Sequence, residues 1–324
     1  MIHLILLSFA PSSLPLQLLV IVVGIAIVLF GADKLTEGGA SLARRMNIPQ
    51  IVIGLTIIAI GTSMPEFFVS FVSALKGTPD LAVGNIVGSN IFNALLIVGC
   101  AAMVAPMTIL PSTVKRDIPF ALVASVLLLI MCLDATISRL DAAILFVLFM
   151  VFMVITIRSA HSDPSGEAQE ETPKATSPLK AWLYILLGLV CLIFGSNIFV
   201  DSASALASSL GISDAVIGLT IVAGGTSLPE LATSIVSARK GQSGIAIGNV
   251  LGSNVFNILM ILGVTGLIQP MQITGITSVD LSMLVISMIL LWLFSYTKYT
   301  LSRWEGAVLT AVFLGYISWL VTNA

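Results

Sequence analysis

Charge is what this chain has least of. Only 9% of its 324 residues are Asp, Glu, Lys or Arg, where a soluble domain carries about 25%, so a water-exposed globular surface is excluded. Histidine occurs twice, as His3 near the start and His161 in a polar stretch. No imidazole is therefore available for acid–base work or metal ligation inside the apolar regions. The three cysteines, Cys100, Cys132 and Cys191, fall within apolar runs without metal-ligand spacing and read as packing or lipid-facing residues.

Apolar sequence is what the chain has in excess: 57% of residues are hydrophobic and the mean hydropathy is +1.10. Runs of about 20 such residues, enough for a helix to cross about 30 Å of hydrocarbon, recur from Leu14 almost to the C-terminus. The long polar interruption runs from Arg158 to Lys180 and is rich in Pro, Ser, Glu and Thr. It cannot bury a core and is expected to be a flexible linker; its acidic Glu167, Glu170 and Glu171 read as a solvated tether. The start, "MIHLILLSFAP", has no basic region ahead of its apolar residues and is expected to be retained rather than cleaved as a signal peptide.

The chain is written twice. Shifted by 164 residues, Ile48 to Gly99 aligns with Ile212 to Gly263 without a gap, and 30 of those 52 positions are identical. "VIGLTIIAIGTSMPE" answers to "VIGLTIVAGGTSLPE", and "GNIVGSNIFN" to "GNVLGSNVFN". Turn and charge signals divide the apolar sequence into predicted helices at 14–43, 51–75, 81–105, 117–133 and 140–157, then at 180–208, 215–238, 245–268, 279–297 and 303–321. The expected fold is an all-α membrane protein of ten helices: a first repeat over 1–158, a linker over 159–179 and a second repeat over 180–324. Five helices per repeat is an odd number, so the second repeat enters the membrane from the opposite side. Inverted repeats of this kind mark secondary transporters, with the site at the repeat interface near the midplane.

The basic residues orient this arrangement. Arg44, Arg45, Lys115, Arg116, Arg158, Lys174, Lys180, Arg239, Lys240, Lys298 and Arg303 fall on one side, against Lys76 and Arg139 on the other. The positive-inside rule then makes the linker cytoplasmic and puts both termini outside, in a plasma (inner) membrane. Lys34 lies within the first apolar run and is left out of that count.

Glu66 and Glu230 occupy equivalent places about fifteen residues into their helices, near mid-depth at about 1.5 Å per residue. An acid there costs upward of about 2.5 kcal/mol and marks a pathway or a partner. No Lys or Arg stands at comparable depth to pair with either. A protonated acid bonded to a neighbouring helix is the other structural reading, and it leaves the duplicated polar surroundings unexplained. Thr62 and Ser63 share a helix face with Glu66, and Ala59 lies a turn further back; Thr226, Ser227 and Ala223 do the same for Glu230. Pro65 and Pro229 lack an N–H and interrupt the helical ladder, freeing backbone oxygens. Carboxylates, hydroxyls and carbonyls make an all-oxygen cage, which suits hard cations such as Ca²⁺ and Na⁺.

A second wall comes from Asn85, Ser89 and Asn93, four residues apart, and from Asn249, Ser253 and Asn257. For Asn85 and Asn249, interhelical hydrogen bonding and ion ligation are equally open readings. Gly84 and Gly88, like Gly248 and Gly252, have the small-residue spacing that lets helices approach closely.

The paired motifs "GTSMPE…GNIVGSNIFN" and "GTSLPE…GNVLGSNVFN" resemble the two alpha repeats of the calcium/cation antiporter superfamily, most of all its bacterial and archaeal sodium/calcium exchanger homologues. The resemblance implies the ten-helix inverted-repeat fold, alternating access, and ion ligation by Glu66 and Glu230. It also implies ligands at Thr62, Ser63, Ser89, Asn93, Thr226, Ser227, Ser253 and Asn257 and at the carbonyls of Ala59 and Ala223. Some relatives carry an acid at one of the positions matching Asn93 and Asn257; this chain has Asn at both, giving a site charge near −2.

The expected function is Ca²⁺/Na⁺ antiport, with H⁺/Ca²⁺ antiport as the alternative. A cation channel is less favoured, since no TVGYG-like filter is present. Enzymatic activity is not expected, because the helices offer no nucleophile beside a base. The transported ions and the bilayer are the expected partners, with no cofactor, nucleic acid or obligate protein partner.

Overall fold

The computed structural model describes residues 14–162, 177–210 and 223–323. In the first half, helix α1 (Leu14–Met46) is followed by α2 (Gln50–Thr62) and α3 (Met64–Leu75), then α4 (Pro79–Val104), α5 (Thr113–Asp134) and α6 (Arg139–Ser162). In the second half come α7 (Pro178–Ser209), the short α8 (Ala223–Thr226), α9 (Leu228–Arg239), α10 (Ser243–Ile268), α11 (Ser278–Tyr296) and α12 (Arg303–Asn323). Among the described residues, eight helices are long and apolar enough to cross a membrane, or nine if α2 and α3 form one bent span. Ten were expected. The seventh expected span, 215–238, has its residues 215–222 outside the described residues, so α8 and α9 are what is seen of it. Most of the expected linker, residues 163–176, also lies outside them, as do His3 and the side chain of His161.

Glycine lets α1 and α7 pack closely. A Cβ on Gly31 would meet the Gly188 carbonyl oxygen at 2.9 Å, one on Gly24 the Gly195 oxygen at 3.2 Å, and one on Gly38 the Ala181 oxygen at 2.7 Å. Pairs 24–195, 31–188 and 38–181 run in opposite order, so α1 and α7 are antiparallel. They are also equivalent under the 164-residue shift, which carries Gly24 to Gly188 and Gly31 to Gly195. Side chains facing away from this contact, such as Leu18, Val22, Leu29, Leu186 and Val190, are exposed apolar surface, as lipid-facing positions must be.

Among the described residues, four two-residue strands tie the halves together. Strand β1 (Met107–Thr108) pairs antiparallel with β4 (Thr300–Leu301), and β2 (Thr136–Ile137) with β3 (Met271–Gln272). Met107 faces Leu301 and Met271 faces Ile137, and the shift of 164 converts one pair into the other. Lys34, set aside in the charge count, sits on α1 within 3.3 Å of Asp33 and 3.0 Å of Glu37, with its ammonium over the Tyr184 ring of α7. Asp33 also takes Lys240, just beyond α9, at 2.6 Å. Cys132 is buried and Cys100 and Cys191 are half-buried, all as free thiols.

Candidate ion-binding site

Helix α2 does not run straight into α3. The two meet at a 48° bend, with Ser63 at φ −83° and ψ 11°. Ser227 takes nearly the same conformation between α8 and α9, at φ −89° and ψ 6°. In each case a proline follows two residues later, where its missing N–H is no loss because a new helix is beginning. The ladder closes around the bend through Ser63 N–H to Ala59 O at 3.0 Å and Phe67 N–H to Ser63 O at 3.1 Å. Glu66 and Glu230 thereby fall in the first turns of twelve-residue helices, where the partial positive charge of the helix end favours a carboxylate.

Each carboxylate is held from the other half of the chain. The Ser63 hydroxyl donates to Glu230 Oε1 at 2.7 Å, and the Ser227 hydroxyl donates to Glu66 Oε1 at 3.0 Å. Ser253, on α10, also donates to Glu230 Oε1, at 3.3 Å. Thr62 donates to Asn249 Oδ1 at 3.1 Å and makes a longer contact of 3.3 Å with the Ala59 carbonyl. Ala59 O is thus already shared by two donors. Ser89 is buried on α4, at the position equivalent to Ser253. Ala223 and Thr226 lie on α8.

Asn85 and Asn249 have interhelical roles. Asn85 Nδ2 donates to Glu66 O at 3.3 Å and Ser70 Oγ at 3.0 Å; Asn249 Nδ2 donates to Glu230 O and Ser234 Oγ at the same distances. These bonds fasten the half-helices that carry the acids to α4 and α10. Gly248 and Gly252 bring α10 onto α2: a Cβ on Gly248 would stand 2.7 Å from Ile51 O, and one on Gly252 would stand 2.6 Å from Leu55 O. The segment that would face Gly84 and Gly88 by the same shift, 215–222, is outside the described residues.

Both acids have zero solvent exposure. Among the described residues, Lys34 pairs with Asp33 and Glu37, Lys240 with Asp33, and Arg116 with Asp117, and none of these cations reaches Glu66 or Glu230. Among the described residues, four buried oxygens of the candidate ligands have no hydrogen-bond donor: Glu66 Oε2, Glu230 Oε2, Asn93 Oδ1 and Asn257 Oδ1. Buried acceptors are nearly always satisfied, and an isolated buried carboxylate costs several kcal/mol. A cation, a proton or a buried water can compensate such acceptors, and a ligand set made all of oxygen fits a hard cation.

A model of the family described as sodium/calcium exchanger protein matches residues 16–158 and 180–322. The chain belongs to the sodium/calcium exchanger family. This exchanger-family chain is 38% identical to the putative antiporter CaxA of Alkalimonas amylolytica, over 91% of its own length and 96% of that protein. It is 38% identical to the inner membrane protein YrbG of Escherichia coli K12 (93% and 94%) and 30% identical to the sodium/calcium exchanger MaX1 of Methanosarcina acetivorans (92% and 97%). Its fold is that of the solved sodium-calcium exchanger NCX_Mj, with a TM-score of 0.83 and 30% identity over 95% of this chain and all of that one. The chain is therefore a helical membrane protein of an antiporter family, as the duplicated motifs implied.

Sequence reasoning passed over two residues. Asn90 and Asn254 are buried and bonded across the halves. Each stands three residues before a candidate ligand, in "GSNIFN" and "GSNVFN". The four-residue stripe drawn through Asn85, Ser89 and Asn93 skipped them. The chain departs from regular α-helix at two of the candidate ligands, Asn93 and Asn257, where Phe92–Ile97 and Phe256–Ile261 form widened π-type turns, a local geometry that recurs at functional sites.

Proposed function

We propose that this chain exchanges Ca²⁺ for Na⁺ by alternating access, within a ten-helix pair of inverted repeats. The ions are held by Glu66 and Glu230, by the hydroxyls of Thr62, Ser63, Ser89, Thr226, Ser227 and Ser253, by the amide oxygens of Asn93 and Asn257, and by the Ala59 and Ala223 carbonyls. The observation that carries this reading is the pair of fully buried carboxylates, each gripped by a serine of the opposite half and each with Oε2 unpartnered among the described residues. Two negative charges with no basic partner among the described residues balance one Ca²⁺ or two Na⁺. One oxygen cage offered alternately to each side then couples the two ion flows. The antiparallel contact of α1 with its equivalent α7 supports the inverted arrangement.

A second reading makes H⁺ the coupling ion, and the two unpartnered Oε2 atoms favour it, since each can take a proton where it would ligate Na⁺. Uptake of radiolabelled Ca²⁺ into proteoliposomes separates the cases. With Na⁺ inside, uptake is expected to exceed that with K⁺ inside. Uptake driven only by an acid interior would replace Na⁺ with H⁺, and uptake with no counter-cation gradient would make the protein a channel.

The linker is cytoplasmic in this reading and both termini are outside. In a background with Cys100, Cys132 and Cys191 replaced, Ser165→Cys should react with an impermeant thiol reagent from the cytoplasmic side alone, and Asn323→Cys from the outside alone. The opposite labelling would reverse the orientation.

A further inference from the structure

Asparagine is an ambiguous ion ligand. Its amide presents an oxygen that attracts a cation, or, turned by 180°, an NH₂ that repels it. Something must choose between the two. In this chain the choice traces back to the main chain. Asn254 Nδ2 donates to the backbone carbonyl of Asn90 at 3.3 Å and makes a contact of 3.5 Å with Met288 Sδ. A carbonyl can only accept, so the Asn254 amide has one allowed orientation, with Oδ1 turned the other way. That Oδ1 accepts Asn93 Nδ2 at 3.0 Å. The Asn93 NH₂ is thereby committed, and Asn93 Oδ1 is left as the unpartnered end.

The same relay runs in the opposite sense. Asn90 Nδ2 donates to Asn254 O at 3.2 Å, Asn90 Oδ1 accepts Asn257 Nδ2 at 3.0 Å, and Asn257 Oδ1 is unpartnered. All four side chains are at most 1% exposed, so water does not compete for these bonds. We propose that Asn90 and Asn254 are positioning residues: crossed between the two halves, they fix the amides of Asn257 and Asn93 so that oxygen rather than NH₂ meets the transported cation. This rests on the ion-ligand reading given above. Each half of the chain thereby sets the polarity of a ligand in the other.

A carboxylate has oxygen at both ends and needs no such orientation, which supplies the test. Equilibrium binding of radiolabelled Ca²⁺ to the purified full chain is measured for wild type, Asn254→Ala, Asn93→Asp and the double variant. Asn254→Ala is expected to weaken binding by about 10- to 100-fold, the usual cost of losing a partner that orients a metal ligand. In the Asn93→Asp background the same change should alter binding by no more than about twofold, as for independent sites, or improve it. The introduced carboxylate would otherwise face the Asn254 oxygen.

Equal losses in both backgrounds would mean that Asn254 matters only for packing, and would overturn the proposal. If wild type itself binds no Ca²⁺, the ion-site reading fails and this inference falls with it. Should Asn254→Ala yield no folded protein, the mirror cycle of Asn90→Ala with Asn257→Asp decides by the same criterion.

Discussion

Glutamine at either Glu66 or Glu230 is expected to abolish ion exchange and leave folded protein in the membrane. Each change removes half the formal charge of the site. At about 4 Å and an effective dielectric of about 20, one unit charge attracts another by about 4 kcal/mol, and Ca²⁺ doubles that. Every 1.4 kcal/mol is about tenfold in affinity, so a loss of at least about a thousandfold is expected even after part of the attraction is offset by desolvation. Folding should survive for the converse reason. Both carboxylates are buried with no basic partner among the described residues, and glutamine keeps an oxygen to accept the Ser227 or Ser63 hydroxyl that now reaches Oε1. Removing an uncompensated buried charge relieves its desolvation cost. Thermal unfolding in ion-free buffer should therefore be unchanged or shifted upward, while the upward shift on adding Ca²⁺, present in wild type by mass action, should vanish. Vigorous exchange by either variant would remove these residues from the site.

Gly252→Leu should be as damaging by a different route. At Gly252 even a methyl group would come within 2.6 Å of both the Leu55 carbonyl oxygen and Ala59 Cβ, and 2.7 Å from Leu55 Cα. Backbone cannot swing aside as a long side chain can, so α10 must lift away from α2. That displaces the end of α2, which carries Thr62 and leads into Ser63, from its bonds to Asn249 and Glu230. Overpacking by single methylenes costs about 1–3 kcal/mol. Gly252→Ala should thus melt earlier than wild type, and Gly252→Leu should lose both exchange and most folded protein. Gly315→Ala, where a Cβ would meet nothing within 4 Å, is the matched control and should behave as wild type. A Gly252→Leu variant that folds and exchanges normally would mean that the α2–α10 contact is not needed to hold the site.

The membrane class, the duplication, the two acids and the interruption of the helical ladder at Pro65 and Pro229 were legible in the sequence, because each rests on local rules, whereas the 48° bend at Ser63 falls within a segment expected as one helix over 51–75. Apolar length decides whether a segment crosses a bilayer. Proline acts on the turn beside it. A carboxylate at mid-depth is conspicuous because it is costly wherever its neighbours lie. The same reasoning placed Asn85 and Asn93 on one stripe, left ion ligation and interhelical bonding equally open for Asn85, and took Asn93 as a ligand. Their separation is tertiary: Asn85 donates back to the helix that carries Glu66, while Asn93 donates across the molecule to Asn254.

Which oxygens would be left without a donor could not be derived from spacing. A hydroxyl or an amide gives its hydrogen to whichever acceptor is nearest in space. Those acceptors lie 167 residues away for Ser63 and 161 for Asn93. The sequence determined that two equivalent acids would enter the membrane on broken helices. Only the folded chain, with α2 brought against α10 by glycines that place no Cβ between them, decided that each acid would be held by a serine of the other half and that four buried oxygens of the candidate ligands would face no donor among the described residues.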